Sequence, residues 1–134
     1  MKGIGLTMID VLDTNVLVRY LVGDVKAQQE KAVFWFQEAR SGKRKILVKP
    51  IVVAETCFVL EKFYKKTRSE IAESLGVVLC QRWLKVEDRS SLLGALDFYE
   101  NKNHFVDSFL LAWSVKNKAK ILTFDLDLLK LASC

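Results

Sequence analysis

Four carboxylates stand where they could share one task. Asp13 closes the apolar run at 8–12 (MIDVL), and Asp125 closes a second run at 120–124 (KILTF). In open parallel sheets, ligands bind beyond the carboxyl ends of the strands, where loops and helix N-termini converge. A single Asp after a strand is commonly a turn or a helix cap, so the recurrence of the position is what makes these two informative. Glu55 lies in IVVAETCFVLEKF, with Ile51, Val52, Phe58 and Val59 as its helical neighbours. A charged carboxylate on so apolar a face would need a cation or a donor to stay ionised. The other reading is a tilted helix whose rim carries Glu55 into solvent, where Lys62 or Lys49 could pair with it. Asp107 falls in the first turn of a helical pattern, where the helix dipole alone favours an acid. Its next-turn neighbours Leu110 and Leu111 nonetheless set it along a face expected to meet a sheet. Asp127 is either a fifth acid at the pocket mouth or the cap of a terminal helix, and the cap is the better reading.

Clustered acids repel one another and are stable together only with bound cations or shared protons. Mg²⁺ and Mn²⁺ take hard oxygen ligands, and Mg²⁺ keeps several waters when it is held by a few carboxylates and a phosphate. Such a site suits phosphodiester hydrolysis, in which one or two ions activate water and neutralise charge on the leaving oxygen. No Cys or His cluster competes for metal and His104 is the only histidine, so neither a zinc site nor a Ser-His-Asp triad is expected.

The elements that must position these acids alternate. The run at 8–12 reads as a strand, followed by a helix from Thr14 that Gly23 and Asp24 end. A second helix spans Lys26–Arg40, with Ala32, Phe36 and Ala39 on one side. Ile46 to Val48 form the next strand, and Pro50 suits the first turn of a helix over 51–64. Thr67 caps a helix over 69–81, a short strand is expected at 83–86, and helices follow at 90–100 and 105–116. The last strand is expected at 120–124 and a terminal helix at 126–132. Strands alternating with helices predict an α/β fold with a mainly parallel sheet and helices on both faces, in one domain over 1–134. Residues 1–7 read as an upstream start or a frayed extension.

With 51% hydrophobic and 28% charged residues, the 134-residue chain has the composition of a soluble globule, which excludes disorder. No apolar stretch is long enough to cross a bilayer, and the first residues lack a signal peptide's pattern, so the expected location is the cytoplasm and no membrane is involved. Cys57, Cys80 and Cys134 show no metal-ligand spacing and read as buried thiols.

Taken in order, V-L-D-T-N, A-E-T-C-F-V-L, F-V-D-S-F-L-L-A and I-L-T-F-D closely resemble the PIN-domain family, in particular its VapC-type toxins. The resemblance covers nearly the whole chain from Met8. It implies a three-layer α/β/α sandwich and an Mg²⁺- or Mn²⁺-dependent ribonuclease whose acids map onto Asp13, Glu55, Asp107 and Asp125. Asn15 and Thr123, with Thr14, would orient carboxylates and water by hydrogen bonds. Homodimers and a small antitoxin whose tail blocks the site are also implied, with RNA as substrate. The same resemblance covers an RNA-processing nuclease that is not a toxin and a catalytically silent RNA- or protein-binding module. Asp127 matches a further acid found in some relatives.

The net charge of +5 becomes informative only when located. Arg40, Lys43, Arg44, Lys45 and Lys49 form the densest basic run, followed by Lys62, Lys65, Lys66 and Arg68, and by Lys116, Lys118 and Lys120. Phosphate contacts from such residues would be salt-dependent and weakly sequence-selective, although any single lysine is more often a solvated side chain. The tryptophans Trp35, Trp83 and Trp113 are expected mainly in the core or in contacts between chains. Phe34, Trp35 and Phe36 are consecutive on a helix and cannot all face one core.

Overall fold

The computed structural model describes residues 8–133, so the readings of residues 1–7 and of Cys134 lie outside it. The chain forms two compact units. One holds the chain up to Lys65 together with Gln81–Glu87, and the other holds Lys66–Cys80 together with the chain from Asp88 onward.

In the first unit, β1 (Ile9–Val11), α1 (Thr14–Val22), α2 (Lys26–Arg40), β2 (Lys45–Val48), α3 (Pro50–Lys62) and β3 (Lys85–Val86) follow in chain order. The strands form a parallel sheet ordered β1-β2-β3, with Ile9 opposite Lys45 and Leu47 opposite Lys85. Parallel neighbours cannot be joined by a tight hairpin, and α1 with α2 supplies the crossover between β1 and β2. α1 stops where Gly23 takes the left-handed φ of 74° and its N–H donates to the Arg19 carbonyl, the usual glycine end of a helix. The core is made of Leu17 and Val18 from α1, Ala32, Phe36 and Ala39 from α2, Ile46 and Val48 from β2, and Val53, Cys57 and Leu60 from α3. The Phe36 ring lies 4.4 Å from that of Tyr20 and 5.8 Å from that of Trp83, so one residue of the aromatic triplet anchors α2.

The second unit is helical among the described residues: α4 (Arg68–Leu79), α5 (Arg89–Glu100), α6 (Phe105–Asn117) and α7 (Leu126–Ala132). α4 begins in a capping box, in which the Thr67 hydroxyl accepts from the Glu70 N–H and the Glu70 carboxylate accepts from the Thr67 N–H. α5 and α6 approach closely at Gly94, where an added Cβ would lie 3.3 Å from that of Ala112. Tyr99 is buried and meets the edge of Phe105 at 5.9 Å, fastening the loop between these helices.

The α/β class and the parallel sheet agree with the sequence reading, as do α1, α2, α3 and the helices of the second unit to within a residue or two. Three expectations are corrected. Residues 120–124 are not a strand: they run without a ladder, and Leu122 and Phe124 are fully exposed at 97% and 104%. An apolar, β-branched run has strand propensity, but propensity in strands is realised only by pairing, and no partner strand lies beside this one among the described residues. The strand expected at 83–86 is shortened to Lys85–Val86, because the Leu84 N–H turns back to the Gln81 carbonyl. Cys57 is buried as expected, whereas Cys80, at the end of α4, is exposed. No described helix is long and apolar enough to cross a membrane.

Candidate functional site

β1 ends one residue before Leu12, and Asp13 then takes the extended backbone of an N-cap, with φ −87° and ψ 148°. Its Oδ2 accepts the Asn15 N–H at 3.2 Å, satisfying one of the unpaired donors that open α1. The next residue, Thr14, is buried at 6% exposure, and its hydroxyl donates to Glu55 Oε1 at 2.7 Å. The strand end thus fixes both an acid and the donor that orients a second acid on α3.

Glu55 itself is exposed, as in the reading that carries it into solvent at the rim of the helix, and the apolar face around it is not the buried one. α3 buries Val53, Thr56, Cys57 and Leu60, while Ile51 and Phe58 are 75% and 56% exposed. The helix is apolar nearly all round, so its sequence does not reveal which stripe packs inward. Lys49 does not hold Glu55 either, since its ammonium is 2.9 Å from Glu87. The partner is the Thr14 hydroxyl.

In the second unit, Asp107 is half-buried in the first turn of α6 and makes no hydrogen bond to the described residues. Of its next-turn neighbours, Leu111 is buried and Leu110 is exposed. Asp125, not Asp127, caps α7: its Oδ1 accepts from the N–H groups of Asp127 at 2.9 Å and Leu128 at 3.2 Å. The Thr123 hydroxyl accepts the Asp125 N–H at 3.0 Å, bending the chain into the cap. Asp127 is displaced from the expected cap into the first turn, where the helix dipole accommodates it.

Asp13, Glu55 and Asp125 therefore share one design. Each is held through a single carboxylate oxygen, and the other oxygen has no protein partner among the described residues. Hard anionic oxygens left free in this way fit Mg²⁺ or Mn²⁺. Neither unit by itself gathers three His, Cys, Asp or Glu side chains into a group that could hold a metal ion, among the described residues.

Two cavities open in the first unit, and Asp13 lines one of them. One, of about 240 Å³, is lined by Asp10, Asp13, Trp35, Arg44 and apolar residues of β1 and β2. The other, of about 250 Å³, is lined by Asn15, Val16, Arg19, Gln28, Lys31 and Trp35. Asp10 was not among the acids singled out from the sequence, although a polar residue at the centre of an apolar strand is the signal that could have shown it. Its charge is engaged: Arg44 reaches Asp10 at 2.6 Å and Glu38 at 2.7 Å. Hydrogen bonding to Glu38 and then to Asp10 raises the Arg44 pKa further above its ordinary value. The densest basic run thus contains two cations, Arg44 and Lys49, already neutralised by ion pairs. Of the aromatic triplet, Phe36 is buried, Trp35 is half-buried at the cavities and Phe34 is exposed.

Set against known proteins, the chain matches the family model described as PIN domain over residues 11–133. No curated protein and no solved structure matches it.

Proposed function

Because the chain belongs to the PIN-domain family, whose members are typically metal-dependent nucleases, we propose that it is an Mg²⁺- or Mn²⁺-dependent endoribonuclease of the VapC toxin kind. Asp13, Glu55, Asp107 and Asp125 are its acids, with Asp127 as an accessory acid. The observation that carries this reading is the shared geometry of Asp13, Glu55 and Asp125, each anchored through one oxygen with the other left free.

In this reading the bound metal supplies a polarised water and charge neutralisation at the phosphodiester. The residues of the chain do the rest. Thr14 holds the Glu55 carboxylate in one rotamer, Asn15 completes the turn that presents Asp13, and Thr123 sets the backbone of Asp125. Asp107, in the first turn of α6, is the fourth acid that would hold the ion. The toxin reading adds a cytoplasmic homodimer and a small antitoxin whose tail covers the acids.

The test is cleavage of single-stranded RNA by the purified protein with and without a chelator, beside Asp13→Asn and Asp107→Asn. Chelation should stop cleavage, and each variant should lose more than about 100-fold in rate with an unchanged circular dichroism spectrum. Variants that cut as fast as the parent in the same metal would refute the assignment. RNA binding indifferent to chelation, with no cleavage, would indicate a silent binding module instead.

A further inference from the structure

The second cavity, lined by Asn15 and Trp35, has the makings of a nucleobase subsite. Trp35 forms a planar wall, half-buried and therefore held in place, with Val16 on the adjoining helix. The Lys31 ammonium sits 5.5 Å from the centre of the Trp35 ring and holds no carboxylate among the described residues. The Asn15 side-chain amide makes no hydrogen bond among the described residues, and Gln28 uses its carbonyl oxygen to accept from Arg19 at 2.8 Å, leaving its NH₂ group to donate elsewhere. A flat apolar surface, an uncompensated cation and two amides able to meet a base edge are therefore gathered in about 250 Å³. That volume lies below the roughly 300 to 1,000 Å³ of drug-sized ligand sites, so it suits one planar group and not a whole cofactor. The cavity is joined to the proposed chemistry through Asn15, whose backbone N–H is 3.2 Å from Asp13 Oδ2.

We propose that Trp35, Lys31, Asn15 and Gln28 form a subsite in which one unpaired base of an RNA strand takes the place of the exposed Lys31 ammonium over the Trp35 ring, while Lys31 swings out to meet a flanking phosphate. The inference rests on the ribonuclease reading and deepens it by assigning a place for the strand next to Asp13. Stacking accepts any base, because every base has a π-face, and it requires a strand that is locally single. Arg44 also lies over the Trp35 ring, 6.0 Å from its centre, but it is bound to Asp10 and Glu38, so the phosphate is drawn to Lys31.

The experiment measures binding of fluorescently labelled decaadenylate to the full chain in a chelator, so that nothing is cut. The parent should bind with quenching of tryptophan emission. Trp35→Leu should bind about 5- to 100-fold more weakly, and Trp35→Phe should restore most of the affinity but not the quenching. Lys31→Gln, at an exposed position where folding is not at stake, should lower the salt dependence by about one phosphate contact. Equal binding by the parent, Trp35→Leu and Lys31→Gln would overturn the proposal. So would an absence of binding by the parent, equal competition by duplex RNA, or tighter binding of polyglutamate, which would give the cavity to an acidic protein partner. Cleavage assays in Mn²⁺ separate the two readings. A parent that shows Trp35-dependent binding but no cleavage overturns the nuclease alone, and a Trp35→Leu variant that binds and cuts like the parent overturns the subsite alone.

Discussion

The Thr14 hydroxyl and the Glu55 carboxylate, 41 residues apart in sequence, meet at 2.7 Å. The bond ties the first turn of α1 to the middle of α3 and leaves Glu55 one free oxygen. Thr14→Val keeps the buried shape and removes only the donor, and because Glu55 is exposed its lost bond is replaced by water. The variant should be destabilised by no more than about 1 kcal/mol and should lose about 10- to 100-fold in metal-dependent cleavage. Thr14→Ser should restore the rate. Thermal melts read beside cleavage rates check both parts.

Asp125 has two separable duties, as a cap for α7 and as an acid of the proposed site. Asn caps a helix nearly as well as Asp, so Asp125→Asn should melt close to the parent yet cut far more slowly. Asp125→Ala should lose cleavage and also about 1 kcal/mol of stability. Urea titrations separate the two variants, and equal melting of Asn and Ala would show that the cap contributes little.

Gly23 ends α1 at a φ of 74°, and a Cβ there would fall 2.5 Å from the Gln29 amide nitrogen. Gly23→Ala meets both backbone strain and a collision, and it should cost about 1 to 3 kcal/mol. Part of that cost arises because Gln29 must release the Tyr20 carbonyl, to which it now donates at 3.5 Å. Denaturant midpoints of Gly23→Ala, alone and with Gln29→Ala, measure the two contributions.

The capping box makes stability depend on pH. The Glu70 carboxyl is held below its ordinary pKa, first by the Thr67 backbone N–H and then by the Thr67 side chain. A lowered folded-state pKa contributes stability that is fully present above the unfolded value and is lost as pH falls through the folded one. Glu70→Gln removes that titration. The gap in melting temperature between parent and variant should be widest near neutral pH and should narrow toward about pH 3, below the ordinary carboxylate range. A gap independent of pH would show that the carboxylate charge does not act at this cap.

The helices, and the residues that begin and end them, were legible because their signals are local. Thr67 followed by Glu70, Pro50 at a helix start and Gly23 at a helix end each act within a turn of chain. What needed distant partners was not. The run at 120–124 has the composition of a strand, but pairing decides strands and composition does not supply a partner. The buried stripe of α3 stayed open between two readings because Val, Ala, Cys, Phe and Leu surround that helix, and only the packed chain selects Val53, Cys57 and Leu60. Asp127 and Asp125 are both suited to a cap. The choice fell to Asp125 because the Thr123 hydroxyl turns its backbone. Nothing in the order of residues shows that Thr14 reaches Glu55, or that Arg44 is spent on Asp10 and Glu38.

The parallel pairing of β1 with β2 also orders events in time. Asp10 of β1 and Arg44, the residue before β2, are 34 residues apart, and most of the chain between them belongs to α1, α2 and their turns. Such a crossover must be closed before the ladder returns any free energy, so the helices form ahead of the sheet. During synthesis the first strand therefore leaves the ribosome long before its partner exists. Ile9 and Val11 stay exposed even in the folded chain, and the neighbouring Asp10 and Asp13 are of the residue type that discourages pairing of such a segment with another chain.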